Sequence, residues 1–467
     1  MGTNTTTAQT VLGDLQSTEH QATYLIITPP QYVTAIQPLA VYRATHDSYS
    51  VGIAVTDSIY ASFGASTSPD TAIRRFVRYA LESWQKPAPE YILLAGTVNT
   101  VPSHKEQGMY YPPDIIEDSI CVDQWLIESA PDSSHVVWPL AAIGRFPAWD
   151  VQQLQVMVNK TITYEELTNC YWARRVISVA DWYEPDNSLW EDMARHFNFV
   201  QYPLFTDTIT VCLNPSYPFR TSREEFRDLW NQGAGIINFF GHSNYRQFSH
   251  DSFFTTFDVD SLSNGTKLPF ITWLLSQRIE KSDTLPIAVN LLQSQDRGAV
   301  GALVCPGMTY ATPYNIYMQN FITRLKQNPH ESVGRAMLWA KNINFDIENR
   351  KYSLLADPAL KIKNAYTVAS IGYSGNVIRT CVLNQNYPNP FNPETIISFD
   401  LSQSTHVQLR VYNMLGQEVA TLVNNELSSG SHTVRFDAGN LRLASGIYIY
   451  RINAGSFMQA KKMIYIR

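Results

Sequence analysis

Charge is scarce in this 467-residue chain: 16% of its residues are Asp, Glu, Lys or Arg, and the formal net charge is −6. No stretch concentrates Lys or Arg, which argues against a nucleic-acid partner and against an anionic membrane surface. No apolar run approaches the roughly 20 residues of a membrane-spanning helix. The five cysteines, Cys121, Cys170, Cys212, Cys305 and Cys381, are scattered without C-x-x-C or other metal-ligand spacing. Neither a zinc site nor a disulfide framework is implied, and the odd count leaves at least one free thiol. The opening Met1-Gly2-Thr3-Asn4-Thr5-Thr6-Thr7 has no basic region and no apolar core, so it does not read as a secretion signal. A processed chain, or part of a longer one, is expected.

What the chain does have is apolar and aromatic residues, at 45% and 12%, including 26 Tyr. This is the composition of a globular protein, and the length predicts two or three domains. A Tyr-rich, charge-poor surface suits an extracellular or assembly-forming protein.

Residues 1–21 are polar and read as a flexible tail. From Tyr24 the chain alternates buried strands with helical spacing. Strands are predicted at 24–28, 51–55 and 91–96. Between the last two, Asp70 is expected to cap a helix with a stripe of Ile73, Phe76, Val77, Ala80, Leu81 and Trp84. A strand near 141–148 and a helix over 151–166 follow. The rhythm restarts at 175–181, with a helix near 189–197, a strand at 208–212 and a capping box at Ser222 to Glu225. Strand and helix in this order mean a parallel sheet with helical crossovers. After Asn364 the period changes to two, and short strands separated by turns predict an antiparallel sandwich.

The candidate site lies between Gly233 and Ser276. A buried strand, Ile236 to Phe240, ends in Gly241-His242-Ser243. A second apolar run from Leu268 to Leu275 ends at Ser276. In an open α/β sheet, reactive side chains gather where parallel strands end. A His and a hydroxyl at two such ends suit nucleophilic catalysis; the alternative is two ordinary buried strands with polar ends.

The strings "NFFGHS" and "FTTFDVDSLSNGTKLPFITWLLS" resemble the gingipain family of secreted cysteine peptidases, as do "PAPEYILLAG", "IGRFPA" and "LLADPAL". The resemblance spans about 22–364. It implies two consecutive caspase-like parallel-sheet subdomains, at 22–171 and 172–364, the second carrying the active site. It places His242 at the catalytic His. It places Ser276 where the family has its nucleophilic Cys, and Asp118 at the acidic residue that supports the His. The surroundings depart from the family pattern. Gly-His-Gly has become Gly241-His242-Ser243, and the residue after the His contributes to the family's oxyanion hole. Bulky Trp273, Leu274 and Leu275 precede position 276. Cys305, ending a neighbouring strand, reads as a core thiol. No cofactor is implied. For Asp114, Glu117, Asp118 and Asp123 two readings stand: a solvated acidic loop, or a calcium site of the kind the family often carries.

A linker at 365–384 leads to residues 385–467. There "NYPNPFNPETIISFDL", "VYNMLGQEVATLV", "SGIYIYRINAG" and "KKMIYI" resemble the C-terminal sorting domain of type IX secretion cargo, an immunoglobulin-like antiparallel β-sandwich. This implies the type IX machinery as partner and a secreted or cell-surface location reached through the outer membrane. Two functions compete. In one, the chain is an inactive peptidase homologue that binds proteins or peptides, or self-assembles, at the surface. In the other it is a hydrolase, working through Ser276 and His242 or being a cysteine peptidase whose Cys was replaced. The first is the expectation, because a site shaped for sulfur does not activate a hydroxyl.

Overall fold

The computed structural model describes residues 10–106, 120–131, 136–168, 170–182, 189–201, 207–213, 221–249, 251–272, 285–307, 311–343, 347–363 and most of 381–466. The chain forms two compact units, 1–370 and 371–467.

In the first unit, five parallel strands build one sheet: β1 (Thr10–Val11), β2 (Tyr24–Thr28), β3 (Val51–Val55), β4 (Tyr91–Ala95) and β5 (Ala142–Phe146), in the order β1-β3-β2-β4-β5. All five residues of β2, β4 and β5 are buried, as expected of strands covered by helices on both faces. One face carries α1 (Val33–His46) and α4 (Val151–Glu166). The other carries α2 (Thr56–Phe63) and α3 (Pro69–Ser83), whose expected stripe from Ile73 to Leu81 is buried together with Trp84. Two expectations are corrected. Asp70 does not cap α3: Ser68 precedes the helix, and Asp70 Oδ2 instead meets His104 Nδ1 at 2.8 Å. Residues 10–21 are not a flexible tail, because Thr10 and Val11 pair with Gly52 and Ile53, and Leu12 and Leu15 are buried.

The second sheet has six strands: β6 (Arg175–Ala180), β7 (Asp207–Cys212), β8 (Ile236–Phe240), β9 (Phe270–Thr272), β10 (Gly301–Val304) and β11 (Ser353–Leu355). Their order is β11-β10-β9-β8-β6-β7, all parallel except β11. Around it lie α5 (Leu189–Gln201), α6 (Arg223–Gln232), α7 (Ile287–Gln293), α8 (Ala311–Gln327) and α9 (Val333–Ile343). The capping box of α6 is formed, with Ser222 Oγ accepting from Glu225 N and Glu225 accepting from Ser222 N.

The two subdomains join where the sheet edges β5 and β11 adjoin, and one apolar cluster runs from Tyr24 and Leu93 to Ile237 and Ile271. A Cβ on Gly144 would lie 2.3 Å from the Ala356 carbonyl oxygen, so the junction requires glycine in the "IGRF" segment. Beside it, fully buried Arg43 donates to Asp47, Glu165 and Asp357, while the Tyr24 hydroxyl donates to Asp357 at 2.8 Å. The "ADP" segment is thus a clamp between subdomains.

The second unit contains β12 (Val382–Leu383), β13 (Glu394–Leu401), β14 (Thr405–Asn413), β15 (Glu418–Leu427), β16 (Gly430–Asp437), β17 (Gly446–Ala454) and β18 (Phe457–Tyr465). These make two antiparallel sheets, β12-β13-β16 and β15-β14-β17-β18. Burial alternates along β14 and β17, with Val407, Leu409, Val411, Tyr450 and Ile452 turned inward, as the period of two predicts. Val382 and Leu383, expected in the linker, belong to this sheet because Leu383 is buried.

Candidate active site

His242 sits where the topology puts reactive groups, just past the carboxyl end of β8 in the middle of the second sheet. The sharp exit from the strand requires Gly241, since a Cβ there would fall 2.0 Å from Asp181 Cβ. Asp181 directly follows the adjacent strand β6. Its backbone N donates to the Phe240 carbonyl at 2.7 Å, and its Oδ2 accepts from the His242 backbone N at 2.9 Å. Its Oδ1 accepts from Trp182 N. The His242 Nδ1 lies 3.8 Å from Asp181 Oδ2, outside hydrogen-bond distance. Trp190, in the first turn of α5, stands edge-on to the imidazole at 5.5 Å. The His242 side chain is 35% exposed and the Asp181 side chain is fully buried. The site therefore offers an accessible imidazole with a buried carboxylate behind it.

Beneath this edge a row of polar side chains crosses the sheet. Thr272 Oγ1 donates to Asn238 Oδ1, Asn238 Nδ2 to Ser178 Oγ, Ser178 Oγ to Asn198 Oδ1, and Asn198 Nδ2 to Thr210 Oγ1, at 2.6–3.2 Å. Asn238 is the strand partner of both Thr272 and Ser178. A one-residue slip would bury these groups without partners, so the row fixes the register of β9, β8 and β6. It thereby sets where His242 and Asp181 emerge. Directly after His242, the segments 243–244, 247–248 and 254–255 form a small antiparallel sheet, and Phe248 and Phe254 pack on Phe239 and Trp230.

Ser276 and Asp118 lie outside the described residues, as do Asp114, Glu117 and the run from Trp273 to Leu275. Asp123 is described: both its carboxylate oxygens accept from fully buried Arg145, itself in the "IGRF" segment. Burial works to raise the Asp123 pKa, but Arg145 outweighs it and holds the carboxyl below its usual range. Cys305 follows β10 on the same edge as His242 and is fully buried in the core. All five cysteines are free thiols. Among the described residues, no three His, Cys, Asp or Glu side chains converge as a metal site.

The sequence singles out His242 and passes over Asp181 and Trp190, which the structure places beside it. Asp181 directly follows its strand, and a carboxylate at a parallel strand end was the available signal. Trp190 carried none, since its neighbourhood depends on how α5 packs.

Comparison with known proteins bears on the whole chain. The model of peptidase family C25 matches residues 17–363, and that of a secretion-system C-terminal sorting domain matches 385–467. Among solved structures, the Arg-specific cysteine proteinase gingipain R superposes with a TM-score of 0.56 at 15% identity, over 95% of this chain and 98% of that one. The complex of the pro- and mature domains of RgpB from Porphyromonas gingivalis gives 0.55 at 15% identity, over 95% and 100%. A structure described only as a protease gives 0.59 at 14% identity, over 97% and 98%. At such identities these likenesses speak to fold. No curated protein sequence matches the chain. With its family's model covering most of its length, the chain belongs to peptidase family C25, the gingipain family, and carries the type IX sorting domain of proteins secreted or displayed through the outer membrane.

Proposed function

We propose that this chain is a secreted gingipain-family protein without peptidase activity, serving at the cell surface as a binding or structural component. The observation that carries this reading is Ser at position 276, where the family places its nucleophilic Cys. A thiol close to an imidazole ionises readily. A serine hydroxyl does not: it requires an imidazole fixed by a hydrogen-bonded carboxylate, and donors aimed at the oxyanion. Ser243 in place of glycine and the bulky residues before Ser276 work against the second requirement. Asp118 is the family-based candidate for supporting the base.

A second reading, a hydrolase using Ser276, His242 and an acid, draws on the buried carboxylate of Asp181 lying directly behind His242. The purified protein separates the two. The first reading expects no cleavage of a mixed peptide library, no labelling of Ser276 by a serine-directed phosphonate, and little activity in Ser276→Cys. Labelling of Ser276, or strong cleavage by the Cys variant, would show intact machinery and overturn it.

A further inference from the structure

Helix α4 borders a cleft of about 750 Å3 whose far wall is formed by the loops before β9 and β10. Those loops lie at the amino-terminal edge of the second sheet, so the cleft is on the opposite edge from His242 and Asp181. The α4 wall presents Gln152, Gln155, Asn159 and Thr163, all exposed. Thr266, Gln293 and Gln295 face them.

Such a surface is unusual for a solvent-facing helix, which normally carries charge. Between Val151 and Tyr164 the one charged residue is Lys160. Its Nζ is turned inward, donating to the carbonyls of Leu291, Leu292, Ser294 and Arg297 at 2.7–3.2 Å. That amine caps the end of α7 and is not offered to a ligand. Asp296 adds an acid at the rim.

We propose that this cleft binds a neutral oligosaccharide. Each exposed amide side chain, Gln152, Gln155, Asn159 and Gln295, carries two N–H donors and a carbonyl acceptor, a set that matches adjacent sugar hydroxyls, which donate and accept together. Among the described residues, an anionic ligand meets no free cation lining the cleft, and it faces Asp296. The apolar part of the lining, from Val156, Tyr164, Leu268 and side-chain stems, is interleaved with amides and hydroxyls, which suits a sugar ring with its apolar faces and polar edges better than a wholly apolar ligand. An extended peptide would bind best along an open strand edge, yet β9 and β10, the strands bordering the cleft, are each paired on both sides. Gln293 is held in place by donating to the Pro147 carbonyl at 2.6 Å, so part of the wall is set before a ligand arrives. Sugar binding at this edge is independent of whether Ser276 is reactive.

The test uses the full chain with saturation-transfer NMR and calorimetry against maltohexaose, cellohexaose, chitohexaose and mannohexaose. An oligogalacturonate and a neutral hexapeptide serve as competing classes. At least one neutral oligosaccharide should bind at millimolar concentration or below. The Gln155→Ala/Asn159→Ala protein should lose about tenfold or more in affinity at unchanged melting temperature, and Ser276→Ala should bind as the parent does. The pair Gln152→Ala/Gln295→Ala, on opposite walls, gives an independent check should the first variant fold poorly. No binding by any of the four sugars, preference for the oligogalacturonate or the peptide, or undiminished affinity in both double variants would overturn the proposal.

Discussion

The two units of this protein solve the same problem, burying apolar strands, with opposite use of charge. The α/β unit places ions inside: Arg43 with Asp47, Glu165 and Asp357, Arg145 with Asp123, and Lys341 with the Gln124 side chain and the Tyr352 carbonyl. In the sandwich the described ion pairs are at the surface, as in Arg410–Glu418 and Arg435–Glu394, around an apolar core from Leu383 to Tyr465. The difference follows from what each must specify. An alternating antiparallel sandwich has a dry face and a wet face, and its register is set by that alternation. Two parallel sheets meeting edge to edge bury both faces, so apolar pattern alone leaves their docking open. A buried ion pair adds little net stability, but it penalises every arrangement that leaves a charge unpaired.

Removing residues 385–467 separates the units most completely. Export to the cell surface should be lost, while the α/β unit keeps its thermal transition; cell fractionation and calorimetry check both halves, and normal display of the truncated chain would break the sorting assignment. Within the α/β unit, Asp357→Ala leaves the buried Tyr24 hydroxyl without its acceptor and Arg43 with Asp47 and Glu165 only, and should cost about 1–3 kcal/mol in urea denaturation. The sandwich transition should stay where it was, and equal loss in both units would refute the idea of a clamp confined to the first.

The pH dependence gives a finer test. Burial pushes both Lys160 and Lys341 down to about 7. In the unfolded chain a lysine titrates near 10.4. Between about pH 7 and 9 the unfolded state therefore binds more protons than the native one, and these two groups make stability rise with pH. Lys341→Met should flatten that rise in denaturation curves taken at several pH values, and an unchanged slope would remove Lys341 from the account. The smallest effect is expected in the sandwich, where Glu418→Gln breaks an exposed pair and should change stability by about 0–1 kcal/mol. A larger cost, seen in the second unit's midpoint, would mean that surface charge matters there too.

Much of the site's frame is legible in the sequence. The run from Ile236 to Phe240 reads as a buried parallel strand, and Gly241-His242 reads as its functional end. The helix over 151–166 and the capping box at Ser222 can be read from local spacing. Local spacing does not show α7, because seven residues make barely two turns and give no period to detect. It misassigns Asp70, whose partner His104 lies 34 residues on. Asp181 escapes for the same reason, since its partner His242 arrives 61 residues later on the neighbouring strand.

Periodicity, caps and turn residues act over a few residues, and they determine by themselves which segments become strands and helices, that the first two sheets are largely parallel, and that the chain changes character after Asn364. The family motifs add the position of His242. Tertiary structure alone decides that Thr10 and Val11 close the first sheet, that Asp357 clamps Arg43 from 314 residues away, and that the row from Thr272 to Thr210 sets the register beneath the site. These are pairings between distant groups, chosen because a buried donor or charge without a partner is costly. That cost exists only once packing has expelled the water.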